Sequence, residues 1–428
     1  MSTPLIGYAG LTHLGLCYAI GAAAKGYDVV AFSEDLELVT RIEAGQLPVV
    51  EPGLDAAFAE HRAKLSFSAD VRALTACDVV YVALDVATND SGYSDLTSIN
   101  ATLAKIMPAL APRATLVVLS QVPPGFTRQL GVDEGRLFYQ VETLIFGRAL
   151  ERAKRPERFI IGCGNPAAPL PPAYRSFLES FGCPILPMRY ESAELAKIAI
   201  NCFLVASVST TNTLAELSEH IHADWGEIAP ALRLDVRIGP SAYLTPGLGI
   251  AGGNLERDLA AVIRLGAREG SATGVIAAYL DSSRHMKDWA YRTLKRTVLD
   301  AVKAPRVGIL GLAYKPDTHS TKNSPSLALI AQLRGIALQV HDPVVPASIV
   351  PAASPAVEPE SVADDADAVL LMTPWSQYEA LDLQALAHRM RGRVLIDPYR
   401  VLEPRAVSSV GLALYSIGRA PILPASVT

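Results

Sequence analysis

Three stretches of the sequence carry residue types whose spacing suits chemistry. In "AELAKIAIN", Lys197 and Asn201 lie four residues apart, and nothing from 198 to 215 is charged. On a helix the two would share one face, a turn apart. A lone lysine in such surroundings either carries its ammonium out to water along its stem or holds a ligand, and the asparagine beside it favours the second. In "GIAGGNLERD" (249–258), Gly249 and Gly252 let the backbone pass close to a ligand because no Cβ intervenes. Asp258 follows at the head of the helical pattern "LAAVIRLGA", where it would equally serve as an N-terminal helix charge. In "GYAGLTHLG", Gly10 and Gly15 occupy the first and third places of GxGxxG, after a strand and before a helix, the context that binds a dinucleotide's pyrophosphate. Thr12 fills the second place and Leu14 precedes the last glycine. Ser33 stands where an acid would hold a ribose hydroxyl, with Glu34 and Asp35 just beyond. Taken alone, this turn would serve as well to pack a strand on a helix.

The elements that must position these residues alternate. "PLIGYAG", "LTHLGLCYAIGAAAKG" and "YDVVAFS" read as strand, helix and strand within about thirty residues, the unit of a doubly wound sheet. "CDVVYVAL", "ATLVVLS", "RFIIGCG" and "CPILPM" continue it as buried parallel strands, with "SINATLAKIMPALA" a helix between. From Glu191 to about His222 the pattern becomes one long helix, apolar nearly all round, which implies burial between domains or subunits. Helical segments run on to about Ala301, and a second alternation follows: "RVGILGLA", "SLALIAQLRG", "ALQVHDP", "DAVLLMT", "LQALAHRM", "RVLIDP". The proline-rich "DPVVPASIVPAASPAVEP" reads as a surface connection within it. The expected architecture is α/β: two doubly wound, Rossmann-like domains (1–190 and 301–428) joined by a long central helix and a helical dimerisation region (191–300).

Bulk composition narrows the function classes. With 428 residues, half of them hydrophobic, the chain is globular and too long for one core. A net charge of −5 without a basic run argues against nucleic acid as a partner. Five scattered cysteines (Cys17, Cys77, Cys163, Cys183, Cys202), with no CxxC pair or His cluster, suggest reduced thiols in the cytoplasm and no metal site. The N-terminus lacks the basic region and apolar core of a secretory signal. Asn201, Ser207, Ser209, Thr210, Thr211 and Asn212 make the uncharged helix a poor membrane span.

Together the motifs resemble the UDP-glucose/GDP-mannose 6-dehydrogenase family over almost the whole chain. "GQLPVVEPGL" (45–54) is similar to its segment ending in EPGL, "SGYSDL" (91–96) to DGxxDL, and "SQVPPGFT" (120–127) to STVPPGT. "VETLIFGRA" (141–149) resembles PEFLREGxA, which puts Glu142 at a catalytic glutamate and Phe146 in place of the second acid. Lys197 and Asn201 fall on the residues that hold the substrate and a hydrate water. "DVRIGPSAYLTPGLGIAGG" (235–253) resembles DxRIGxxFLxPGxGYGG, so Arg237 would reach the neighbouring subunit's sugar, with Tyr243, Gly249 and Gly252 around the substrate. "ILGLAYKPDTHSTKNSPS" (309–326) resembles ILGLAFKPxTxDxRESPS, which puts Lys315 on the substrate and Lys322 toward the cofactor.

The departures sit at the chemistry. The family's GxGGSCFPKD loop holds the cysteine that traps the aldehyde of the first oxidation; counting back from Asp258 and Arg257, this chain has Asn254 there. An amide forms no thiohemiacetal. Gln121 replaces the threonine of STVPPG. The resemblance implies NAD as cofactor, with NADP second because Ser33 is neutral, a UDP-sugar as favoured substrate, and a homodimer. Glu142, Lys197, Asn201 and Asp258 would still polarise a hydroxyl and order a water. Three outcomes compete: full oxidation through the aldehyde hydrate; a single hydride transfer, ending in a carbonyl or returned in an epimerisation; or binding without turnover. The second fits best, because loss of the nucleophile removes only what the second half-reaction needs.

Overall fold

The computed structural model describes residues 3–87, 89 and 93–424. Ser91 and Gly92 of "SGYSDL", and the Asn254 side chain, lie outside the described residues. Contacts divide the chain into two units, Met1–Ile200 and Asn201–Thr428.

The first unit is built on eight strands: β1 (Ile6–Ala9), β2 (Val29–Phe32), β3 (Leu65–Ser68), β4 (Val79–Val82), β5 (Thr115–Val118), β6 (Leu137–Gln140), β7 (Phe159–Cys163) and β8 (Ile185–Arg189). Their order is β3-β2-β1-β4-β5-β6-β7-β8, parallel throughout except for the antiparallel β6–β7 pair. Every residue of β1, β4, β5 and β6 is buried, as a sheet covered on both faces requires. β1 pairs with both β2 and β4, so the strand order reverses between β1 and β4, the place where such sheets open a crevice for ligands. The helix His13–Ala24 leaves β1 there. Its Gly21 admits the helix Ala149–Lys154, whose Ala153 Cβ would stand 3.0 Å from a Cβ at that position.

The second unit carries six parallel strands: β9 (Arg306–Leu310), β10 (Ala337–His341), β11 (Ala353–Pro355), β12 (Ala368–Leu371), β13 (Val394–Ile396) and β14 (Ala413–Tyr415). Their order is β11-β10-β9-β12-β13-β14, so this is a second doubly wound sheet, as the alternation predicts. The proline-rich segment differs from its reading as connection alone: it contributes β11. An edge strand tolerates Pro355 because one side of its ladder needs no donor.

The long helix spans Tyr190–His220. By length and composition it could cross a membrane, with a third of its most apolar window buried. Its polar residues have structural work instead: Thr211 Oγ1 donates to the Tyr243 carbonyl (2.9 Å), and Asn212 Oδ1 accepts from Gly247 N (2.8 Å). It is not apolar on buried faces only, since Phe203 is 79% exposed and Leu195, Leu214 and Leu217 are exposed beside it.

Candidate active site

In the first unit the turn after β1 is shaped by two glycines. Gly10 has φ +117°, and a Cβ there would meet the Ala83 carbonyl at 2.7 Å; one on Gly15 would fall 1.9 Å from the Gly10 carbonyl oxygen. Only glycine fits either place, and the turn delivers the backbone to the N-terminus of His13–Ala24. Thr12 sits at the N-cap but its side chain does not cap the helix. Its hydroxyl donates to the Ala83 carbonyl (3.3 Å) and accepts from Asp85 N (3.2 Å), which ties the turn to the end of β4. Thr12 therefore points away from the helix N-terminus, where a glycine would merely be small. Leu14 is buried in the core, so it offers a ligand only its backbone. At the end of β2, Ser33 Oγ accepts from Asp35 N, Asp35 caps the helix Leu36–Glu43, and Glu34 pairs with Lys105 at 2.6 Å. Both acids beyond Ser33 are thus engaged on the surface, and Ser33 itself is half-buried.

Glu142 and Lys197 meet in the same unit. Lys197 Nζ lies 2.5 Å from Glu142 Oε1 and also donates to the Glu142 carbonyl (3.2 Å), with both side chains largely buried. Leu144 N donates to the other carboxylate oxygen (3.0 Å). Gln121 is half-buried in the turn after β5. That turn is pinned by Glu194, fully buried on the long helix one turn before Lys197, which accepts from Gly125 N (2.6 Å) and Thr127 N (2.9 Å). Burial outweighs these bonds and raises the Glu194 pKa.

A residue of the EPGL segment, to which the sequence assigned no role, joins these parts. Glu51, of "EPGL", is 4% exposed and accepts from Ala149 N (2.7 Å) and Gly147 N (3.1 Å), while His13 Nε2 lies 3.0 Å away. His13 is the first residue of the helix His13–Ala24 and stacks on Phe146, with ring centroids 4.4 Å apart. One carboxylate thus fixes both the helix start and the segment that follows Glu142. The EPGL resemblance marked the segment in the sequence without showing what Glu51 holds.

In the second unit, Asn201 Nδ2 donates to Asp258 Oδ2 at 2.5 Å, and Arg257 Nε lies 3.2 Å from Asp258 Oδ1. Asp258 is 1% exposed on the second turn of the helix Asn254–Glu269, so it is a buried, partnered carboxylate rather than a surface helix charge. The preceding loop needs its glycines: Gly249 has φ +73° with the Ser283 carbonyl 2.4 Å from a Cβ, and Gly252 has φ +77° against the Tyr314 ring. Lys322 lies over Gly253, its Nζ 2.9 Å from where a Cβ would be, and its carbonyl accepts from Gly252 N (3.1 Å). Asn323 donates to the Gly252 carbonyl and to Glu256, which also pairs with Lys287. The two segments singled out in the sequence, 249–258 and 309–326, are therefore one structure. Lys315 stands over the Tyr314 ring. Tyr243 contributes its carbonyl to Ser207 and Thr211. Arg237 is exposed and doubly bonded to Asp235, outside this cluster.

In the second sheet, Gly311 directly after β9 has φ +98°, and a Cβ there would meet Thr373 at 2.4 Å. Asp342, just after β10, spends Oδ2 on Leu312 N (2.6 Å) and Ala313 N (3.0 Å), which closes the turn after β9. As for thiols, Cys17, Cys77 and Cys163 are buried and Cys183 and Cys202 half-buried; burial raises the pKa of all five, that of Cys77 to about 12. Among the described residues no group of three His, Cys, Asp or Glu side chains is placed to hold a metal.

Known proteins share these parts in the same order. Residues 5–170 match the NAD binding domain of the UDP-glucose/GDP-mannose dehydrogenase family, 191–285 its central domain and 308–404 its UDP binding domain. UDP-glucose 6-dehydrogenase of Pseudomonas aeruginosa is 28% identical over 96% of both chains. UDP-glucose 6-dehydrogenase AglM of Haloferax volcanii is 30% identical over 93% of this chain and 96% of its own. A UDP-glucose dehydrogenase structure from Pyrobaculum islandicum superposes with a TM-score of 0.82 at 29% identity, over 94% of this chain and 95% of that one. The UDP-D-ManNAc dehydrogenase structure from Pyrococcus horikoshii, at 23% identity and a TM-score of 0.83 over 97% and 99%, shares the fold. With all three domains of the family matched in order, this chain belongs to the UDP-glucose/GDP-mannose dehydrogenase family.

Proposed function

We propose that the protein is an NAD-dependent oxidoreductase that removes one hydride from C6 of a UDP-sugar and releases the aldehyde. The observation that carries this reading is in the second unit: the helix after the glycine loop keeps a buried Asp258 held by Asn201 and Arg257, while the loop 249–258 contains no cysteine and the unit's one thiol, Cys202 on the long helix, is raised in pKa by burial and by Asp258. Asn201 and Asp258 support a retained polar site, and an asparagine at position 254 supports loss of the covalent second step. The turn at Gly10 and Gly15 suits a pyrophosphate, since both positions exclude a Cβ and the helix N-terminus carries no side-chain cap. NAD, when bound, accepts the hydride. Lys197, with Glu142 as its counter-ion, is assigned to donate to the C6 oxygen, and the Glu142 carboxylate to receive the hydroxyl proton. Asn201 and Asp258 are assigned to order a water; Asn254 takes the nucleophile's position without its chemistry. Lys315, Tyr243 and the 249–252 loop are assigned to the nucleotide sugar, Lys322 to the cofactor, and Arg237 to a second copy's substrate. The exposed Phe203 face of the long helix suits a homodimer contact.

Stoichiometry tests the reading. Purified protein is incubated with UDP-glucose and NAD, following absorbance at 340 nm and product mass. One NADH per sugar with an aldehyde product is expected. Two NADH per sugar would mean that the ordered water adds to the aldehyde and that the hydrate is oxidised, giving the uronic acid. An isomerised sugar with no net NADH would replace the reading by an epimerase, and tight binding without turnover by a non-catalytic binder.

A further inference from the structure

The second unit has a cavity of about 370 Å³ away from the glycine loop, lined by Glu219, His220, Trp289, Arg296, Ser416 and Arg419 among others. Its walls come from the end of the long helix, the turn after Trp289–Leu294 and the chain leaving β14. Its floor is polar and incompletely used. Ser416 is 2% exposed and its Oγ has no hydrogen-bond partner; the buried Nε of Arg419 has none either. Native interiors rarely leave such groups without partners, so two in one cavity mark a place built for a hydrogen-bonding guest. The charge at this site favours an anion. Arg296 and His220 are exposed at the rim and Arg419 is half-buried deeper in. Among the lining residues the acid is Glu219, already held by Trp289 Nε1 (3.1 Å) and Gly418 N (3.2 Å), while behind the lining Arg419 faces Asp224, Asp397 and Glu403 together with Arg400. The Trp289 indole and Pro421 supply flat apolar wall, and the volume falls within the range of metabolite sites.

We propose that this cavity is a second ligand site, separate from the glycine loop, that binds a small oxyanion between Arg296 and Arg419 with Ser416 donating to it. A carboxylate and a phosphate share this chemistry: both offer paired acceptor oxygens to a guanidinium fork.

The test is isothermal titration of the full-length protein with inorganic phosphate and, separately, with succinate. Chloride at matched ionic strength is the blank, and each titration is repeated with saturating UDP. One saturable site that persists under UDP is expected; whichever anion binds tighter names the class. Losing a charge-assisted bond should weaken binding about tenfold in Arg419→Gln, and by a smaller factor in Ser416→Val. If Arg419→Gln melts early, the exposed Arg296→Gln gives the same readout without disturbing the core. Absence of saturable heat, affinity unchanged in all variants, or binding abolished by UDP would each overturn the proposal.

Discussion

Replacing Glu51 by alanine isolates the residue that joins the phosphate turn to the segment after Glu142. The carboxylate is buried and accepts from Ala149 N, which opens the helix Ala149–Lys154, and from Gly147 N. A buried N–H left without an acceptor costs about 1–3 kcal/mol, and losing an anion at a helix start adds about 0.3–1 kcal/mol. Removing a buried charge returns part of its desolvation cost, so a net loss of about 3 kcal/mol is expected for Glu51→Ala. Glu51→Gln keeps one acceptor oxygen and should lose about half of that. In a unit of some 200 residues, about 2–4 °C per kcal/mol converts this to a fall of roughly 6–12 °C in the first unit's melting transition. The kinetic signature is separate. With His13 released from Glu51, the KM for NAD should rise more in Glu51→Gln than the KM for UDP-glucose, because His13 opens the helix behind the Gly10–Gly15 turn whereas Ala149 N keeps its acceptor beside the Glu142 segment. A melting shift in Glu51→Ala below about 2 °C would refute the stability argument. Equal rises in both KM values would show that Glu51 acts on the fold alone.

Two other perturbations follow from the same geometry. Burial pushes the Glu219 pKa from 4.5 up to about 7, with neighbouring Glu216 adding to the shift and Trp289, Gly418 and Arg296 opposing it. Its neutral form is the favoured one in the fold, so stability is highest below pH 4.5 as far as this group is concerned and falls as pH rises through about 7. Because the side chain is partly solvated, the loss should be about 1–2 kcal/mol between pH 5 and 8 and absent in Glu219→Gln, as denaturant melts at the two pH values would read. Phe203→Glu puts a charge on the most exposed apolar residue of the long helix; sedimentation should show a dimer in the parent and a monomer in the variant, and an unchanged mass would exclude this face as the contact.

How far the sequence discloses this molecule depends on the range of the interaction. The glycines at 10 and 15 and the Lys197–Asn201 pair are legible because strand, turn and helix patterns are local. The second sheet is legible from its apolar runs, except β11, where five prolines in 342–359 mask an edge strand. Thr12 shows a limit of motif reading: its residue type suggests obstruction, whereas its rotamer carries the hydroxyl to Ala83 and Asp85. Asp258 is readable as a helix charge or as a site residue until its burial against Asn201 decides between them. The Glu51 junction was out of reach, because its two backbone donors lie 96 and 98 residues away and no periodicity encodes that meeting.

The five thiols have a practical consequence. A group with a pKa near 12, such as Cys77, is ionised to about one part in 100,000 at neutral pH, and the other four are also shifted away from the thiolate. Alkylating reagents act on the thiolate, so these thiols should react slowly. A cysteine engineered at a chosen exposed position would then react far ahead of the native five. Fluorophores or spin labels for following motion in this chain could be attached without first removing any natural residue.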